Sequence, residues 1–242
     1  MKMAWKRFGG LFLYLVMVFC LAACGNSAEG SSTQGSQSES KSAMQSTSER
    51  DKTANIESNE HVSGENKSGN HSLVAYFSLA GEQYGVGVIE EGNTSIIAHM
   101  IAEQTGADLF EIEPVTPYPT SHSELLDVSR EEMANNARPE IAGTVDNMDD
   151  YDTIFIGYPN WWGDMPMIVY NFLESYDLSG KTIVPFCTHG GSGLSDTEST
   201  IADITGGTMK DGFAIPGTTA QNDRDTARNE VTQWLKDGGF VE

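Results

Sequence analysis

The stretch Thr153-Ile154-Phe155-Ile156-Gly157-Tyr158-Pro159-Asn160-Trp161-Trp162-Gly163 decides the fold. Its first half is a short apolar run rich in β-branched and aromatic residues, which reads as a strand. Its second half sets two consecutive indoles between that strand and a helical pattern starting near Pro166, where Ile168, Val169, Phe172 and Leu173 recur on one side. A packed core does not ordinarily place two large aromatics side by side at such a junction. At least one of them is therefore expected to face a ligand.

Working outward, the same strand-then-helix grammar repeats. Residues 73–77 form an apolar run, and residues 94–105 carry Ile96, Ile97, Met100 and Ile101 at helical spacing before a Gly106 stop. A second strand is expected over 107–113, then a link through Pro114, Pro117 and Pro119 and a helix capped by Ser121 or Ser123 and running to about residue 136. Beyond helix three, the pattern predicts a strand over 181–187, a weaker helix over 194–204, a short strand over 212–215 and an amphipathic helix over about 223–236. Five strands and five helices in alternation predict a three-layer α/β sandwich with a parallel sheet. Sheets of this kind bind ligands at the carboxyl ends of their strands.

Three loops lie at that edge, and their chemistry is complementary. Gly92-Asn93-Thr94 opens a helix whose first amides lack intrahelical partners, a natural seat for a phosphate, with the Ser78 hydroxyl close behind the first strand. The same residue types also serve as plain helix caps. Trp161 and Trp162, flanked by Pro159, Asn160 and Gly163, offer an indole to stack on a flat heterocycle, or else cover the sheet edge. Thr188-His189-Gly190-Gly191-Ser192-Gly193 has three glycines in six residues, which lets backbone N–H groups approach the edge of a ring. His189 is the candidate catalytic side chain, as a donor near that edge, with bonding to backbone as the alternative. A phosphate, a ring face and a ring edge together read as a flavin site.

The N-terminus carries Lys2, Lys6 and Arg7, an apolar run over 8–19 and then Leu21-Ala22-Ala23-Cys24. The run is short for a membrane span and has the layout of an export signal over residues 1–23. The small residues before Cys24 are similar to the lipobox of bacterial lipoproteins, so Cys24 is the expected lipidation site and first mature residue. Residues 24–70 hold almost no large apolar side chains and read as a tether, with a reach of roughly 35 to 40 Å as a coil. Residues 71–242 form the expected folded domain. They carry 28 Asp and Glu against seven Lys and Arg, a net of −21 equal to the formal charge of the whole chain. That field disfavours nucleic acid and anionic lipid as partners. Cys187 is the one thiol left to the domain and is expected to be inert and packed.

On these motifs the chain resembles the flavodoxin-like family, and especially the flavodoxin-domain lipoproteins of bacteria, over residues 72–242. The resemblance implies a five-stranded sheet of order 2-1-3-4-5 and non-covalent FMN, with its phosphate near Ser78, Asn93 and Thr94. Pro159-Asn160-Trp161-Trp162-Gly163 is similar to one ring-contacting loop of the family and residues 188–193 to the other. The chain departs from the pattern in its first loop, interrupted by residues 79–91 with Gly81, Gly85 and Gly87. This insertion reads as a small flap whose Tyr84 covers the site or lies on the surface.

The expected function is that of a membrane-tethered, extracytoplasmic FMN redox protein. It is either an electron carrier or an NAD(P)H:quinone-type oxidoreductase acting on a quinone-like acceptor, with donor and acceptor left open. The alternative is a flavin-binding or adhesive lipoprotein without turnover. No metal is expected, since His71, His99, His122 and His189 lack ligand spacing and no Cys-x-x-Cys occurs. Gly191-Ser192-Gly193 lacks the Gly-x-Ser-x-Gly elbow of serine hydrolases.

Overall fold

A computed structural model describes residues 71–242. The export signal, Cys24 and the tether expected over residues 1–70 lie outside the described residues. The domain runs β1 (Ser72–Tyr76), β2 (Gly81–Gln83), β3 (Gly87–Ile89), α1 (Asn93–Thr105), β4 (Asp108–Glu111), α2 (His122–Ala134), β5 (Thr153–Pro159), α3 (Met167–Glu174), β6 (Thr182–His189), α4 (Thr197–Thr205), β7 (Thr208–Met209), β8 (Phe213–Pro216), α5 (Gly217–Asn222) and α6 (Arg224–Asp237).

The main sheet is parallel, in the order β4-β1-β5-β6, with β7 and β8 both paired to β6. Since β5 occupies one edge of β6, β7 and β8 share the other and form a single interrupted strand. Counted by position, the order is the expected 2-1-3-4-5. The interruption has a local cause. The Lys210 amide donates to the Ile183 carbonyl at 3.0 Å, so odd-numbered residues of β6 turn their backbone groups toward this edge. Pro185 has no N–H to give there, and the edge strand breaks opposite it.

Period-two alternation divides the strand side chains between two cores. Leu73, Ala75, Ile154 and Ile156 pack with α3 and α4 on one face, while Val74, Tyr76, Phe155 and Val184 pack with α1 and α6 on the other. Gly157 sits in register with Phe186. A Cβ at Gly157 would lie 2.1 Å from the Phe186 ring, so this position takes no larger residue without moving the ring.

Several expectations shift in detail. Lys181 lies just before β6 rather than in it. It is buried and its Nζ donates to the carbonyls of Met148 and Tyr151 at 2.9 and 2.7 Å, closing a 3₁₀ turn at Met148–Asp150. The helix expected over 194–204 starts later, at Thr197, because Ser195 takes a left-handed φ of 55°. The insertion in the first loop forms the antiparallel hairpin β2–β3, while β7 and α5 had no counterpart in the sequence pattern.

Candidate functional site

The first loop builds an anion cradle at the start of α1. Gly92 precedes the helix in extended conformation, and no side chain caps the end. Of the amides without an intrahelical partner, that of Ser95 donates to Ser78 Oγ at 3.0 Å, leaving those of Asn93 and Thr94 for an incoming anion. Ser78 thus shapes the cradle from behind. A Cβ on Gly92 would fall 2.2 Å from Ser78 Oγ and 2.7 Å from the Leu79 carbonyl, so the turn requires glycine. Thr94 is buried, its hydroxyl 2.8 Å from that of Thr188, which ties α1 to the end of β6. Asn93 Oδ1 is buried with no hydrogen-bond partner. An acceptor left in this state calls for a donor from a ligand, such as a hydroxyl.

The second loop separates its two indoles by role. Trp161 packs edge-on against Phe77 and Tyr118, at ring distances of 5.5 and 5.6 Å, and anchors the loop to the core. Trp162 is 47% exposed. Trp162 and Gly163 both have positive φ, 59° and 84°, and Trp161 and Asp164 exchange backbone bonds across them, the geometry of a tight primed turn. The Trp162 indole N–H donates to Ser129 Oγ at 3.0 Å, and the Arg130 guanidinium lies 4.4 Å from the ring centre. This indole is positioned from α2, which the sequence pattern did not connect to it.

Asn160 joins the second loop to the third. Its Nδ2 donates to the Gly193 carbonyl at 3.0 Å and to Ser195 Oγ at 3.2 Å, its Oδ1 accepts from the Gly163 amide at 3.0 Å, and its backbone N–H donates to Thr188 O at 2.8 Å. In the third loop the Gly191 amide donates to His189 Nδ1 at 2.9 Å. That bond assigns the proton of the neutral imidazole to Nε2. It also consumes one of the glycine-loop amides expected to face a ring. Burial holds the His189 pKa below its usual value. Cys187 is buried, its thiol donates to the Gly193 carbonyl at 3.2 Å, and burial pushes its pKa up to about 12. Its packing is as expected.

These loops enclose a cavity of about 380 Å³. Asn93, Pro159, Asn160, Trp161, Trp162, Thr188, His189 and Gly190 line it, whereas Ser78, Gly92, Thr94, Gly163, Gly191, Ser192 and Gly193 are not part of its lining. Five lining residues were not anticipated: Gln83 on the hairpin, His122, Leu125 and Leu126 with Ser129 on α2; Gly217 at the start of α5 adds a sixth. Ser129 and the leucines carry ordinary helix-face signals, and only the tertiary fold turns that face inward. Tyr84 lies against Gly190, where a Cβ would come 2.8 Å from its ring, so it borders the cavity while remaining largely exposed. Among the described residues, no group of three His, Cys, Asp or Glu side chains could hold a metal ion.

The flavodoxin family profile matches residues 71–237. A provisionally assigned flavoprotein from Bacteroides eggerthii is 30% identical, with 70% of this chain and 98% of that chain covered and a TM-score of 0.56. Another, from Bacteroides uniformis, is 31% identical, with 69% and 99% covered and a TM-score of 0.55. A flavoprotein in complex with FMN from Lactobacillus acidophilus shares the fold at 21% identity, with 62% and 96% covered and a TM-score of 0.50. No curated protein matches the chain.

Proposed function

The chain belongs to the flavodoxin family, and on that footing we propose that it is an FMN-dependent redox protein, tethered outside the cytoplasm, that passes electrons to a small quinone-like acceptor. The observation that carries the reading is the convergence of the three loops on one cavity, with the anion cradle of α1 on one loop and the half-exposed Trp162 on another. The residues present fit FMN. The amides of Asn93 and Thr94 suit its phosphate, and the unpartnered Asn93 Oδ1 suits a hydroxyl of its ribityl chain. Trp162 and the Thr188–His189–Gly190 backbone border the space for the ring.

When bound, FMN supplies a redox centre that takes up and releases one or two electrons. The chain's own part is to hold and shield it. Asn160 keeps the two ring-contacting loops in one relative position, and Thr94 with Thr188 holds the cradle to the sheet. The lowered His189 pKa and the bond at Nδ1, which leaves Nε2–H as its donor, support its role as the side chain that meets a partner at the ring edge. No Lys or Arg lines the cavity, so the cofactor is held by neutral donors within a strongly acidic domain. The extracytoplasmic tether is supported by the basic start, the apolar run and Leu21-Ala22-Ala23-Cys24.

The test is to purify the chain with FMN, remove the excess and follow the flavin absorbance through stepwise anaerobic reduction and reoxidation by a quinone. Retained flavin that is reduced and reoxidised reversibly is the expected result. Folded protein that retains no flavin overturns the reading.

A further inference from the structure

The cavity has a wall outside the helix entry at residues 92–94 and the loops after β5 and β6, built by the hairpin inserted in the first loop and by α2. Tyr84 and Gln83 come from the hairpin, and His122, Leu125 and Leu126 from the first turns of α2. The hairpin is pinned there, since the Glu82 amide donates to the Thr120 carbonyl at 2.8 Å and its carboxylate accepts from the His122 amide at 3.1 Å. Tyr84 is 71% exposed, an unusual state for a large ring, and lies 6.3 Å from the His122 ring. The ring nitrogens of His122 take no protein partner among the described residues. Ser129 Oγ, by contrast, is engaged by Trp162 and by the Leu126 carbonyl. The lining contains no Asp, Glu, Lys or Arg. A charged ligand would find no counter-ion in it, and an anion would also meet the field of a domain with net charge −21.

We propose that this wall of Tyr84, His122, Leu125 and Leu126 is the subsite for the acceptor, that it takes an uncharged planar aromatic of one or two rings bearing a hydrogen-bond acceptor, and that Tyr84 determines its specificity. The two leucines and the Tyr84 ring supply apolar contact, and His122 supplies the polar one. The inference rests on the FMN reading above, because the subsite is defined relative to the cofactor loops.

The FMN-loaded full chain, with retained flavin measured beforehand, is titrated calorimetrically with 2-naphthol and with 2-naphthoate as its anionic counterpart. Loss of flavin from the unaltered protein tells against the cofactor reading and, with it, against an acceptor subsite; flavin retained without naphthol binding overturns the subsite alone. The expected result is binding of 2-naphthol at least tenfold tighter than of 2-naphthoate. Tyr84→Ala should weaken naphthol binding at least fivefold, Tyr84→Phe should restore it, and both variants should keep FMN affinity within twofold of the parent. Equal binding of the two probes, or unchanged naphthol affinity in Tyr84→Ala, overturns the proposal. So does a parallel loss of FMN affinity, which would make Tyr84 a cofactor contact instead.

Discussion

The loops after β5 and β6 are bonded to each other, whereas the hairpin after β1 is bonded to α2. Asn160 alone makes four hydrogen bonds across or within the former pair, and Cys187 and Thr94 brace it from the sheet and from α1. The hairpin instead leans on the helix start through Glu82 and Thr120, and meets the glycine loop through the Tyr84 ring over Gly190. Cross-bonded loops share one rigid geometry, which suits a cofactor held permanently. An element held at its base and resting on its neighbour through one exposed ring can open without disturbing them.

Three changes would break or sharpen this contrast. Gly157→Val acts beneath both regions, driving a side chain into Phe186. Overpacking of this kind in a fully buried sheet costs about 3 kcal/mol. Chemical denaturation should show that loss, with the whole rim weakened together. Asn160→Ala removes the tie between the loops after β5 and β6, leaving the Gly163 amide without its partner and the Gly193 carbonyl with only the Cys187 thiol. A cost of about 1 to 2 kcal/mol follows from the lost bonds. Flavin affinity should fall about tenfold by equilibrium dialysis, the equivalent of ~1.4 kcal/mol. An unchanged affinity would show that the loops are held without Asn160. Glu82→Ala should have the smallest effect on global stability, about 0.5 kcal/mol, because it strips an exposed carboxylate from a helix start. Its signature is local. Hydrogen exchange should rise across residues 81–89 and at the start of α2 while residues 159–163 and 188–193 keep the parent rates. A uniform rise would erase the distinction between the two regions.

The three loops were legible because each carries a departure from ordinary packing chemistry: adjacent indoles, clustered glycines, and a glycine-asparagine-threonine entry to a helix. Their support was less visible. Trp161 and Trp162 are neighbours in the chain, yet only contact with Phe77 and Tyr118 makes the first an anchor, and only Ser129 and Arg130 on α2 position the second. Ser129 lies 33 residues from Trp162, and nothing local to either announces the pair. The hairpin was readable as an insertion with three glycines, but its docking against α2 was not.

Strand-and-helix alternation determined the layered architecture from the sequence alone, because period-two and helical burial patterns are local consequences of which side chains avoid water. The same local chemistry located the edge of the sheet where the cavity lies. Tertiary structure alone decided which face of α2 turns into the cavity, which indole stays half-exposed, and that the Gly191 amide goes to His189 Nδ1 and not to a ring. Those outcomes depend on groups brought together from distant parts of the chain or on one backbone turn among several that a glycine-rich loop allows, and neither is encoded in the pattern of neighbouring residues.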